Sequence, residues 1–259
     1  MIVKDQLQRK LQFKKPPKRI VSLVPSLTEL IVDLGLEKEL IGVTKFCVHP
    51  KHLRHSKAIV GGTKQIKLDK IKDLQPDVIL CNKEENTQEI IEQLQAVSPI
   101  HISDINTLDD CYELIEMYGG IFNKKEKVTH LISTIKKERE HFQTFIENKP
   151  QKSVAYFIWK DPWMIAASGT FISCMLQEAG FKNGFSKEAR YPEITLDDPR
   201  LLKADIIFLS SEPYPFKEEH VKMLKSHFPN IEIKIVDGEL FSWYGSRLTK
   251  AFTYFRSLY

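Results

Sequence analysis

The chain has 259 residues, 42% hydrophobic and 28% charged, with 11 glycines, 13 prolines and four cysteines. That apolar fraction builds a core and excludes a disordered or collagen-like chain, while Cys47, Cys81, Cys111 and Cys174 form no CxxC pair and read as reduced thiols rather than disulfide staples. The formal net charge of +4 is local, because residues 1–19 hold seven basic side chains against Asp5 and the remainder sets 31 basic against 33 acidic residues.

The basic segment 1–18 reads as a solvated arm or an edge strand, since no basic stripe on the rest of the chain accompanies it. Nucleic-acid binding is therefore not expected. MIVKDQLQRKLQFKKPPKR has no continuous apolar core of a secretory signal, and no run approaches the ~18 apolar residues of a membrane span. As written the chain reads as a cytoplasmic protein without membrane insertion. A leader ahead of it would make it periplasmic or cell-surface.

Residues 19–24 form a short apolar, β-branched run, a buried strand broken at Pro25-Ser26. Ser26 or Thr28 is placed to cap a helix running to Gly35. Leu40–Val43 predicts a second strand, Leu68–Leu74 a helix, Pro76–Leu80 a strand, Glu85–Leu94 a helix and Ile100–Ser103 a fourth strand. Gly61-Gly62 and Gly119-Gly120 read as turns. Strands alternating with helices predict an α/β fold on a parallel sheet. Residues 124–149 carry apolar side chains at helical spacing, with Asn123 as cap and Pro150 as stop, and predict one long connecting helix.

The alternation then restarts. Strands are expected at 153–159, 204–209 and 231–236, and helices at 170–179, 218–228 and 246–258. The halves also echo each other, Leu74–Leu80 matching Leu202–Phe208. The reading is two Rossmann-like lobes, 19–122 and 151–259, joined by a helix over 123–150, with a ligand cleft between them. All three tryptophans lie in proline-rich or polar strings at the ends of second-half strands: Trp159 and Trp163, then Tyr214 and Phe216, then Trp243. Large rings on stiff loops suit a broad, flat ligand.

In this order and spacing, RIVSLVPSLTELIVDLG, LQPDVIL, the long middle helix and LSSEPYPF resemble the class III periplasmic binding proteins. WKDPWM, RYPEITLDD and GELFSWYGSR are most similar to the cobalamin-binding branch of that family. The resemblance covers residues 19–259. It implies a rigid bilobed receptor, monomeric and non-enzymatic, that passes a corrinoid, ferric siderophore or haem to an ABC transporter permease. It places Pro25, Ser26, Phe46, Cys47, Gly62, Thr63, Trp159, Trp163, Tyr191, Tyr214, Phe216, Trp243 and Arg247 at the ligand. It also places Asp69 and Asp197 at the docking surface for the permease. No cofactor beyond the ligand, cobalamin or a relative of it, is implied.

The residues leave alternatives open. Cys47, His49, His52 and His55 make the most metal-like string, yet Lys51 and Arg54 among them disfavour a bound cation. Arg247 could meet a ligand carboxylate, amide or phosphate, or form a structural salt bridge. GxSxG, GxxxxGK[ST], GxGxxG and HExxH are absent, so no catalytic residue is assigned. The competing functions are a cytoplasmic corrinoid- or haem-handling carrier or enzyme, and a metal-ion receptor built on Cys47 and His49.

Overall fold

The structure, a computed structural model, describes residues 1–259. In chain order the elements are β1 (Ile2–Lys4), β2 (Lys10–Gln12), β3 (Ile20–Ser22), α1 (Pro25–Asp33), β4 (Leu40–Val43), α2 (Leu53–Ser56), β5 (Ala58–Ile59), α3 (Leu68–Asp73), β6 (Val78–Asn82), α4 (Gln88–Gln95), β7 (Ile100–Ser103), α5 (Leu108–Ile121) and α6 (Lys125–Ile146). There follow β8 (Ser153–Trp159), β9 (Met164–Ile165), α7 (Phe171–Glu178), β10 (Lys182–Asn183), β11 (Ile206–Ser210), α8 (Glu218–His227), β12 (Glu232–Val236), α9 (Gly238–Ser242) and α10 (Leu248–Arg256). They group into two units, one of residues 1–135 and 244–248, the other of 136–243 and 249–259. No helix is long and apolar enough to cross a membrane.

The first unit is built on a parallel five-stranded sheet in the order β5-β4-β3-β6-β7. β3, β6 and β7 are buried along their whole length, as the unbroken apolar runs demand when helices cover both faces. Val21, Leu23, Ile71, Ile79, Cys81, Leu94 and Ile102 form a core on one face. The second unit repeats the plan, with β10-β8-β11-β12 parallel and β9 antiparallel against β8. Ala155, Phe157, Ile207, Leu209, Leu224 and Phe228 belong to one of its cores.

Several local expectations are corrected. Pro25 is the first residue of α1, and no side chain caps that helix. Ser26 therefore does not cap it, and the Thr28 hydroxyl turns back to Val24 O and Ser22 Oγ. Gly119-Gly120 is not a turn but lies inside α5, which Thr107 opens with a capping box. Gly119 lets α6 approach closely there, because a Cβ would come 3.0 Å from Val128 Cγ2. Asn123 does not cap α6; at φ 54° it closes α5 instead. At about 33 Å, α6 is not a bare connector. Val128 packs on Gly119 in the first unit, and Phe142 packs on Phe252 and Phe255 in the second.

The basic segment is no solvated arm. β1 and β2 pair as a hairpin whose Asp5 side chain is wholly buried. That carboxylate accepts from Arg9 Nε at 2.8 Å, Arg9 Nη2 at 2.7 Å and the backbone N–H of Ile102 at 3.2 Å. Arg9 in turn donates to Ile100 O at 2.6 Å. The hairpin thus satisfies backbone groups of β7, an edge strand that would otherwise present them unpaired.

A second buried ion pair lies within the first unit. Arg247 Nε donates to Glu29 Oε2 at 2.8 Å and Nη2 to Oε1 at 2.9 Å, and both side chains are only 7% exposed. Removing one partner of such a pair costs about 3–5 kcal/mol, because the other charge is left desolvated and uncompensated. Arg247→Met is expected to destabilise by that amount in urea unfolding, and Glu29→Gln combined with Arg247→Met to recover at least half. A single variant within about 1 kcal/mol of wild type would contradict this role.

His101, on β7, is fully buried and neither ring nitrogen finds a partner on another residue. Its ring meets Tyr118 edge-on with centroids 5.2 Å apart. Burial pushes its pKa down from 6.5 to about 4, with Asp5 opposing and Arg9 reinforcing the shift. Because the folded pKa is depressed, the folded state takes up fewer protons than the unfolded chain between these values. Stability is then complete above pH 6.5 and falls as the pH drops toward 4, by about 3 kcal/mol. Denaturation curves across that window should show the loss in wild type and a markedly flatter dependence in His101→Leu.

Candidate functional site

In an open parallel sheet the place for a ligand is outside the carboxyl ends of the strands, where the strand order reverses. In the first unit the chain steps from β3 to β4 and β5, then returns to β6 on the other side of β3. The reversal lies between β3 and β6. The loops that leave these two strands carry Pro25 and Ser26 on one side and Lys83–Thr87 on the other.

Two asparagines tie the loop after β6 to its neighbours. Asn82 donates to Ser103 O and Oγ, both at 3.1 Å, and its Oδ1 accepts from the Glu84 and Glu85 N–H groups. Asn86 donates to Thr63 O at 2.9 Å, and its Oδ1 accepts from Asn82 N. The loops after β5, β6 and β7 are thus held by side-chain amides. Tyr244 adds its hydroxyl beside Ser26 and Ser103, and burial pushes that phenol far up toward its neutral form. Burial likewise raises Glu85, with Lys64 opposing and Glu84 reinforcing. Sequence reasoning missed Asn82, Glu85, Asn86, Ser103 and Tyr244. The visible signal was CNKEEN, an abrupt polar string directly after the apolar run VIL.

Phe46, in the loop after β4, is 50% exposed and lies against Gly62, where a Cβ would come 3.1 Å from Cε2 of the ring. Pro25 and Thr63 are half-buried at the same carboxyl edge, and Ser26 and Gly62 are buried there. Cys47 differs. Its thiol is fully buried against Thr28 Oγ1 at 3.1 Å and Thr44 Oγ1 at 3.3 Å, and burial raises its pKa. The thiol was expected at the ligand; the structure instead uses it to hold the β4 loop on α1.

The metal-like string is dispersed for the same reason. Cys47 points inward, His52 pairs with Glu37 at 2.8 Å, and His49 and His55 line a pocket with Lys45, Lys51 and Arg54. No group of three or more His, Cys, Asp and Glu side chains converges as a ligand set.

In the second unit the reversal lies between β8 and β11. At the carboxyl ends of these strands Trp159, 39% exposed, meets Tyr214 edge-on with centroids 5.6 Å apart. The Tyr214 hydroxyl also lies 3.2 Å from His220 Nε2. Below the rings Tyr156 donates to Ser210 Oγ at 3.2 Å, joining β8 to β11. Gly238 donates its N–H to Ser211 Oγ, and Ser242 donates to Glu212 Oε1 at 2.7 Å, which binds both ends of α9 to the β11 loop. Gly238 is required at this approach, because a Cβ would collide with Ser210 Oγ and Glu212.

The remaining aromatic residues divide. Tyr191 is half-buried with the Arg190 guanidinium 5.6 Å from its ring. Trp163 stacks on Phe216 at 6.0 Å and packs on Phe157, so both rings close the core rather than line a surface. Trp243 is 8% exposed at the end of α9. Arg247 makes the structural salt bridge to Glu29, the alternative to a ligand contact that its sequence context left open. Asp69 opens α3 with its side chain 94% exposed and only Lys72 near it, at 3.4 Å, and Asp197 is exposed in the loop before Asp198.

Comparison with known proteins agrees with this architecture. Over 197–230 residues, vitamin B12-binding proteins from several bacteria are 24–26% identical, that of Vibrio vulnificus being 25% identical over 82% of this chain and 81% of its own length. An uncharacterized ABC transporter substrate-binding lipoprotein of Bacillus subtilis is 26% identical over 74% of this chain, a match spanning 63% of that relative's length. Among solved structures, a periplasmic heme-binding protein of Pseudomonas aeruginosa superposes with a TM-score of 0.78 at 18% identity, over 93% of this chain and 92% of the other. Residues 20–229 match the family described as periplasmic binding protein, and with that match spanning most of its length the chain belongs to this family.

Proposed function

We propose that the chain is the solute receptor of an ABC importer and that its solute is a corrinoid or a related metal chelate, such as a ferric siderophore or haem. One observation carries the reading. At the strand-order reversal of the second unit, a partly exposed indole and a phenol meet edge-on on proline-stiffened loops, which offers apolar area at little entropic cost. At the corresponding edge of the first unit buried side-chain amides brace the loops, so that this edge too is stiff. The vitamin B12- and heme-binding relatives support the same class of solute.

The reading is of a binding protein rather than a catalyst. It also sets the protein outside the cytoplasmic membrane, periplasmic or at the cell surface, working as a monomer with a permease. Fractionation of cells expressing the native gene tests that setting.

Titration calorimetry with cobalamin, cobinamide, haem and ferric siderophores should find one tight ligand. Trp159→Ala is expected to weaken it by about 2 kcal/mol, roughly thirtyfold, as for a central aromatic anchor. Silence across the whole panel, or equal affinity in the variant, would defeat the assignment. Truncating Trp243, whose ring is buried, should lower the unfolding midpoint first.

Asp69 and Asp197 are exposed and free of strong ion pairs, as docking carboxylates need to be. Charge reversal at both, Asp69→Lys with Asp197→Lys, is expected to abolish receptor-stimulated ATP hydrolysis by the reconstituted transporter while ligand affinity stays unchanged. Full stimulation by the double variant would remove these residues from the interface.

A further inference from the structure

The chain has eight arginines, and seven of them have an acceptor within the protein. Arg9, Arg139, Arg200 and Arg247 pair with carboxylates, while Arg19, Arg190 and Arg256 donate to backbone carbonyls. Arg54 is the exception, its guanidinium meeting no acceptor. It lies on the wall of a cavity of about 560 Å³ in the first unit, together with Lys45, Lys51, His49 and His55, and with Val48 and Ile59 as apolar lining. That volume is within the roughly 300–1,000 Å³ of small-molecule pockets. No carboxylate lines it.

The nearby acid does not neutralise it either. Glu37 is engaged by His52 at 2.8 Å, and its backbone carbonyl accepts from Lys57. Lys45 is held by the face of the Phe46 ring, 5.0 Å from its centroid, and Lys51 has no ion-pair partner. Three positive charges border one pocket with no carboxylate on its wall, which gives it a field that favours an anion. Guanidinium and ammonium groups around one cavity offer charge-assisted hydrogen bonds to oxygen, the guanidinium in the two-pronged geometry that carboxylate and phosphate accept.

We infer that this cavity is an oxyanion-binding site for a small molecule bearing two or more carboxylate or phosphate groups. The site stands on unit-one residues alone and is independent of which chelate the protein carries. Arg54 supplies the paired donors, Lys51 and Lys45 the point charges, and Val48 and Ile59 the apolar surface beneath the ligand's carbon or bridging atoms.

The test is calorimetric titration of the full chain at low ionic strength with citrate, pyrophosphate and inorganic phosphate. One equivalent should bind, and Lys51→Gln combined with Arg54→Gln should weaken it roughly tenfold or more. Both positions are exposed, so the fold is not at risk. Lys14→Gln with Lys15→Gln, which removes equal charge elsewhere, should leave the affinity unchanged. Citrate binding without the phosphates identifies a polycarboxylate site, and the converse identifies a phosphate site. No binding of any probe at millimolar concentration, or equal weakening by the control variant, would overturn the inference. Corrinoid and haem binding by the Lys51/Arg54 variant is measured in parallel, so that failure of this site is distinguished from failure of the receptor assignment.

Discussion

A parallel strand can be followed only by a crossover, and that constraint organises everything else in this protein. Crossover helices cover the faces of each sheet, so the central strands β3, β6, β8 and β11 are mainly apolar and their polar residues are driven to the ends. At the carboxyl ends, one pair of strands in each unit has loops that leave in opposite directions: β3 and β6 in the first, β8 and β11 in the second. Ser26 and Asn86 stand at one reversal, Trp159 and Tyr214 at the other. The two units reach the same plan with different chemistry, amides and hydroxyls in the first and aromatic rings in the second.

Buried charge is spent on architecture. Asp5 with Arg9 pins the amino-terminal hairpin to the edge strand β7, and Glu29 with Arg247 returns residues 244–248 to the first unit. Desolvating such groups is costly, and two parallel N–H···O bonds offset the cost where single contacts would not. Two nitrogens of the Arg247 fork are directed at one carboxylate, which is why the side chain is held by the fold.

The cationic pocket follows the opposite logic. Lys45, Lys51 and Arg54 lie in and after an irregular loop, where water solvates them and no desolvation has to be offset. The protein keeps these charges apart from its carboxylates, whereas its other arginines are all engaged. The difference is in the surroundings of each guanidinium and not in the residue type.

Much of this was legible along the chain. The strands 40–43, 100–103 and 153–159 are found at the residues expected, because a buried strand is a local run of apolar and β-branched side chains. The two-fold α/β repeat, the long helix and the family resemblance were equally readable from order and spacing. What local pattern could not decide is which member of a string turns inward. Trp159 and Trp163 share one proline-containing string, yet one is exposed and the other stacks on Phe216. Cys47 and Phe46 are adjacent, yet one is sealed between Thr28 and Thr44 and the other is half in solvent. α5 was hidden because Gly119-Gly120 has the signature of a turn, and only contact with Val128 explains a glycine there. The sequence by itself determined the longer buried strands, their alternation with helices and the family, since these depend on neighbours along the chain. The tertiary structure alone decided the fates of Arg247 and Asp5, since Arg247 meets Glu29 from the far end of the chain and Asp5, besides its neighbour Arg9, accepts from Ile102 on β7, contacts that no local pattern displays.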